Sequence, residues 1–587
     1  MATIEVSRRL QLAAGAGWGF TMSPATQEKW LGPEGALPPL VGATVVIPWG
    51  VGAWRGGIVE LIEDGRVVFS LQPPGAWQAR HGRSTTVTVK LSADPEDDAA
   101  VVTIAEAGFE DLSGTSDPAA AGAEASRRWF KALDDLEAAA KTARQKSESV
   151  RQAVLVIHGI GEQTPGETVR NLVQAAAEPE ERDTVRSKPD RISHTFELRS
   201  WTLDRNESRP PTDFFEVYWA DKVRDTTISQ VWAWIRRLLL RPPASVPRSL
   251  QSVWWTVWLA LAFTAFLVLS FFPALDVGSN ARWISFTGAA VLGVISGFMV
   301  NSLGDAARYL WPHPANVAVR DRIRSNGVDL LDALHTSVRY HRIIVVGHSL
   351  GSVIAHDIVS EYWIATRRQH NAPVSVSNKQ AAELVELLKI ASPRPTDTTK
   401  GSPWSVWGEM RRNTQPWLIT DLITAGSPLA HASLLLAGSK AELEGMFERR
   451  ELASCPPRPI NDVWYDRGYK DQLGRNRTFR YFTHNAPFAA TRWTNLYFPV
   501  KFGFFGDVVG GPLVDVFGPW VNDQAVQWHP DRWRGHTLLA HTLYWKVPKS
   551  TRLGAWGHLD VLRAALDLNR RKDLEALARE MPREAWV

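Results

Sequence analysis

The chain has 587 residues, too many for one hydrophobic core, so several domains are expected. Its net charge of +4 is small for that length, and no basic stripe with interleaved aromatics appears, which argues against nucleic acid as a partner. A single cysteine, Cys455, excludes an intramolecular disulfide and any Cys-rich metal site. The first twenty residues lack a long apolar stretch, so no cleaved signal peptide is expected.

Residues 1–145 read as a small α+β domain. Strand candidates are Ile4–Leu12, Ala43–Pro48, the alternating run 56–72 turning at Asp64-Gly65, 85–93 and 100–109. A helical run from Ala119 to Ala140 follows, with Trp129, Leu133 and Leu136 on one face. Ser23-Pro24-Ala25 leading to Glu28-Lys29-Trp30-Leu31, then VTIAEAGFED (102–111) and WFKALDDLE (129–137), resemble the START-like, helix-grip family related to the Hsp90 ATPase activator. That resemblance implies a curved antiparallel sheet around a long helix. It also implies binding of a hydrophobic ligand or a protein partner, against the plainer reading of a packed domain without ligand.

Residues 150–240 open a second domain. AVLVIH (153–158) reads as a buried parallel strand running into Gly159-Ile160-Gly161, and FELRSW (196–201) and FFEVYWA (214–220) are further strands.

Residues 241–304 carry two uncharged runs, Val253–Leu275 and Trp283–Leu303, of 23 and 21 residues. Each suffices for about 30 Å of hydrocarbon at about 1.5 Å per residue, so a transmembrane helical hairpin is expected. Arg236, Arg237, Arg241 and Arg248 before it, and Arg308, Arg320, Arg322 and Arg324 after it, place both soluble parts in the cytoplasm by the positive-inside rule. Ile228–Leu240 reads as an interfacial amphipathic helix.

The domain resumes over 305–587. A helix-forming stretch, Val319–Val338, precedes RIIVVGHSLGSVIAHDIV (342–359). Gly347-His348-Ser349-Leu350-Gly351 fits G-x-S-x-G between a buried strand and a helix. A serine on so tight a turn projects its hydroxyl, and the following helix N-terminus offers backbone N–H groups to an oxyanion. VIHGIGEQ (156–163), VVGHSLGS (345–352) and LITAGSPLAH (422–431) resemble the α/β-hydrolase superfamily on its lipase and esterase side. The resemblance implies an oxyanion hole from the N–H of Leu350 and that of Ile160 or Gly161, with His348 packing or orienting. It implies a triad in the order Ser, acid, His. AHTLYW (540–545) resembles the H-x-x-Y-W stretch of membrane-linked members and offers His541 as base, with His536 as runner-up. Asp507, in a Gly-flanked loop after the strand candidate TNLYF (494–498), is the expected acid. Asp515 and Asp523 compete, and Asp421 is less apt.

No metal or organic cofactor motif occurs, so none is expected. The expected fold is thus an α/β-hydrolase with an inserted transmembrane hairpin behind a helix-grip domain. The expected activity is a membrane-anchored serine esterase acting on lipid or other apolar esters. The alternative is a catalytically silent membrane scaffold whose N-terminal domain recruits a ligand or partner.

Overall fold

A computed structural model describes residues 3–38, 41–49, 52–62, 65–74, 84–94, 99–111, 117–147, 150–160, 164–189, 199–222, 236–269, 309–310, 314–337, 339–369, 378–389, 396–412, 417–470, 476–501, 505–528, 535, 537, 539–548 and 557–580. In the N-terminal domain β1 (Thr3–Ala13), β2 (Thr44–Ile47), β3 (Trp54–Ile62), β4 (Arg66–Leu71), β5 (Thr85–Ala93) and β6 (Ala99–Ala107) form one antiparallel sheet in the order β1-β6-β5-β4-β3-β2. The period of two is visible in β6, where every second residue is buried. The helix Pro118–Ser147 lies against this sheet and inserts Trp129, Leu133 and Leu136 into its core. The Trp129 indole N–H donates to Glu106 Oε2 at 2.7 Å, which satisfies the polar edge of a buried aromatic. A six-stranded sheet gripping a long helix is a helix-grip arrangement.

The second domain is built on β7 (Gln152–Ile157), β8 (Arg186–Pro189), β9 (Arg199–Leu203), β10 (Thr212–Val217), β11 (Arg342–His348), β12 (Ile419–Ala425), β15 (Arg492–Tyr497) and β16 (Asn522–Ala525). The hairpin β13 (Trp464–Lys470) and β14 (Asn476–Phe482) stands apart from this sheet. The sheet order is β16-β15-β12-β11-β7-β10-β9-β8. The first six pair in parallel; β9 and β8 are antiparallel at one edge. β7, β10 and β12 are buried at every position, as strands covered on both faces must be. The helices Pro314–Thr336 and Leu350–Gln369 pack together on one face. Glu167–Ala176 and His558–Leu566 form a second helix pair. The C-terminal helix Arg571–Glu580 reaches back to Pro118–Ser147 and β1, and one continuous core runs through both domains.

The expected α/β-hydrolase fold with a membrane hairpin requires correction. Among the described residues no helix is long and apolar enough to cross a membrane. The helix Arg248–Leu269 takes in the first run only from Val253 to Leu269, short of the about 20 apolar residues that a crossing needs. The second run, Trp283–Leu303, lies outside the described residues, as do residues 228–235 of the expected interfacial helix. The expectation of a two-span protein with both soluble parts facing the cytoplasm falls with the hairpin. Nor does the mixed eight-stranded sheet by itself establish an α/β-hydrolase fold.

Candidate active site

Four neighbouring parallel strands, β15, β12, β11 and β7, end at one edge of the sheet, where loops from successive strands converge. β11 runs into Ser349, whose φ of 54° is the left-handed region that a serine occupies only under constraint. The constraint is steric and hydrogen-bonded. A Cβ on Gly347 would lie 2.5 Å from Gly351 O, and one on Gly351 would lie 2.3 Å from His158 O. Only glycines fit on either side of the turn. Ser349 N–H donates to Ala425 O (2.9 Å), and the Ser352 hydroxyl donates to Ser349 O (2.6 Å) while accepting from the Ser427 hydroxyl (2.7 Å). Leu350 then opens the helix Leu350–Gln369.

His541 and Asp507 meet Ser349. The Ser349 hydroxyl donates to His541 Nε2 at 2.8 Å. His541 Nδ1–H points at the Asp507 carboxylate, 2.9 Å from Oδ1 and 3.0 Å from Oδ2. Ser349 and Asp507 are 4% and 1% exposed, whereas the His541 side chain keeps 21%. Asp507 also accepts the N–H groups of Val509 (2.9 Å) and Gly510 (3.0 Å) and the hydroxyl of Tyr544 (2.7 Å). Burial opposes its charge, yet His541 and these donors hold its carboxyl down to about 2.

A backbone pairing brings the chain back before Asp507. Lys501 and Phe505 exchange two backbone hydrogen bonds (2.6 and 3.0 Å), and Asp507 N–H returns to Phe498 O (3.3 Å). Gly506 makes the return with φ 128°, where a Cβ would sit 2.3 Å from Pro499 O. The extra residues between β15 and the aspartate therefore leave it beside the strand end.

His348 lies against His541. The rings stack with centroids 5.0 Å apart, and His348 Nε2–H donates to the His541 carbonyl (2.9 Å). Burial, then the proximity of His541, pushes its imidazole down to about 3, so it stays neutral. On the other side Gly159 touches Ser349, since a Cβ there would come within 2.9 Å of the serine Cβ. His158 fixes that turn. Its Nε2 accepts Trp219 N–H (3.2 Å), which leaves Nδ1–H to donate to Gly159 O (2.8 Å). Burial lowers this imidazole to about 4. Ile160 is described and packs at the core margin, while Gly161 lies outside the described residues.

The competing residues go elsewhere. Asp523 accepts from Leu513, Val514 and Asn495. Asp515 is exposed. Asp421 is paired with Arg342 (2.6 Å) and Arg492 (2.8 Å) near the opposite end of its strand. His536 lies outside the described residues. His431 and His356 are buried against the carbonyls of Val508 and Ala453. Trp407, Met410 and Trp417 are buried in the core. Tyr544 was visible only as part of the H-x-x-Y-W motif, and nothing in the sequence ties it to Asp507. Among the described residues no cluster of His, Cys, Asp and Glu could hold a metal ion.

No family model matches the chain, and no curated protein does. Solved structures similar to it cover its N-terminal quarter, the part with the helix-grip arrangement. Protein MLL2253 of Mesorhizobium loti is 19% identical, with 24% of this chain and 98% of that one covered and a TM-score of 0.20. The Aha1 dimer of Colwellia psychrerythraea is 16% identical (24% and 96% covered, TM-score 0.19). Protein CV1439 of Chromobacterium violaceum is 20% identical (24% and 96% covered, TM-score 0.19). Likenesses this slight carry no argument about ligand, partner or activity.

Proposed function

We propose that the chain is a serine hydrolase cleaving carboxylic esters with apolar acyl groups. The observation that carries this reading is the unbroken hydrogen-bonded chain Ser349–His541–Asp507, with the serine strained at a strand-to-helix turn. In this reading Ser349 Oγ attacks the acyl carbonyl and His541 Nε2 takes its proton. The same proton is later returned to the leaving alcohol, and water repeats the cycle on the acyl-enzyme. Asp507 holds the Nδ1–H tautomer and stabilises the imidazolium. The N–H of Leu350, at the helix start, and that of Ile160 are the candidates for the oxyanion, with Gly161 the other sequence candidate. The apolar preference is supported by the uncharged neighbours of the serine, namely Gly159, His348 and Leu350.

An alkyl fluorophosphonate probe tests the reading. Wild type should label and Ser349→Ala should not. Asp507→Asn should slow labelling by about 10³–10⁴-fold, because the imidazole tautomer is no longer held. Equal labelling of wild type and Ser349→Ala would sink the assignment.

A further inference from the structure

Asp507 has a hydrogen-bond donor beyond its histidine and its own loop. The Tyr544 hydroxyl donates to Oδ2 at 2.7 Å and itself accepts the N–H of Phe498 at 3.1 Å. Phe498 follows directly on β15, so the hydroxyl is anchored to the rigid end of a strand. Tyr544 is fully buried, and its ring packs on Phe498 with centroids 4.9 Å apart. Gly426 leaves the room that this assembly needs. A Cβ there would come within 2.8 Å of Tyr544 Cε2, 2.9 Å of Asp507 Oδ2 and 3.0 Å of His541 Cε1.

We infer that Tyr544 is a positioning residue that sets the basicity of His541 through Asp507. The inference rests on the serine-hydrolase reading above for its consequence, but not for its geometry. A phenol donating to Oδ2 draws negative charge away from the imidazole. It also fixes the carboxylate plane in which both oxygens face Nδ1–H. Without that donor the carboxylate holds the imidazolium more tightly, and His541 becomes easier to protonate. With a more acidic phenol the opposite follows. Burial and the Asp507 charge both push the phenol well above its ordinary range, so it remains the donor.

Two variants separate this role from packing. Tyr544→Phe keeps the ring and removes the hydroxyl. Replacement of Tyr544 by 3-fluorotyrosine keeps the hydroxyl and makes it a stronger donor. The first measurement is the pH dependence of fluorophosphonate labelling. The second is the titration of the His541 imidazole by NMR on histidine-labelled full-length protein. In Tyr544→Phe the acid limb and the imidazole midpoint should both rise by roughly half a unit to one unit. In the 3-fluorotyrosine protein both should fall. Coincident midpoints in all three proteins would overturn the inference, whatever the change in rate. If Tyr544→Phe does not fold, the fluorinated protein alone decides by the sign of its shift. If no protein labels, the hydrolase reading fails, and the NMR midpoints still judge the positioning role.

Discussion

Glu216 gives the sharpest energetic test of this fold. It sits on β10 with 1% exposure, and its Oε2 accepts the N–H of Gly166 at 2.6 Å. Gly166 is the N-cap of the helix Glu167–Ala176 and offers no side chain of its own, so a carboxylate from a neighbouring strand caps the helix instead. Burial nevertheless dominates and raises the Glu216 carboxyl from 4.5 to about 7, while the N–H groups of Gly166 and Val169 pull it down. Its Oε1 has no hydrogen-bond partner. A shift of that size corresponds to about 3 kcal/mol between the two protonation states. The folded chain holds this proton more tightly than the unfolded one. Its stabilising effect is therefore complete below pH 4.5 and is lost as pH rises through about 7. Glu216→Gln keeps an acceptor for Gly166 and removes the titration. Urea unfolding at pH 5 should find the two proteins close. At pH 8 the glutamine protein should be the more stable by about 1–3 kcal/mol, the lower end allowing for a weaker, uncharged cap. Parallel stability curves for the two proteins between pH 5 and 8 would show that this carboxyl titrates normally and that the burial argument is wrong.

Other substitutions probe separate parts of the design. Gly506→Ala places a Cβ against Pro499 O and strains a positive φ. It should cost about 1–3 kcal/mol by urea unfolding and slow fluorophosphonate labelling, because Asp507 moves with it. Arg342→Met leaves Asp421 buried with one of its two arginines gone. Thermal or urea unfolding should register a loss of about 3–5 kcal/mol, with no direct effect on the distant Ser349. His558 is a buried imidazole lowered to about 4, chiefly by desolvation. Its contribution is present above pH 6.5 and is lost as pH falls through about 4. The stability of His558→Gln should accordingly decline less steeply than wild type across that window, by up to about 3 kcal/mol. Equal slopes would contradict it.

What the sequence disclosed is local, and what it concealed is long-range. GHSLG between an apolar run and a helical one announces a strained turn, because two glycines, a serine and both flanking elements lie within a few residues of one another. His541 and Asp507 could be singled out from motif and loop context. Their meeting at 2.9 Å depends on the pairing of Lys501 with Phe505 and on the turn at Gly506 that returns Asp507 to Phe498. The polar edge strand β16 and the hairpin β13–β14 escaped sequence reading. NDQA has no apolar alternation, and the hairpin's arginines and lysine break its pattern. The membrane reading failed for a related reason. An uncharged run records only composition, whereas crossing a bilayer also requires those residues to lie on one continuous helix of sufficient length.

The same contrast bears on where regulation of the site's chemistry would be found. Glu216 caps a helix fifty residues away in sequence, and Tyr544 reaches a carboxylate thirty-seven residues away. Neither spacing is periodic, so neither partner is implied by pattern. Both contacts involve a buried carboxylate next to a loop that the proposed chemistry uses, and both depend on a single hydrogen at a single oxygen. In an interior of low dielectric, such a proton moves charge more effectively than a change in a solvated surface residue does. Substitutions that alter His541 without touching it should therefore concentrate at Tyr544 and Gly506, not among the exposed residues of the same loops.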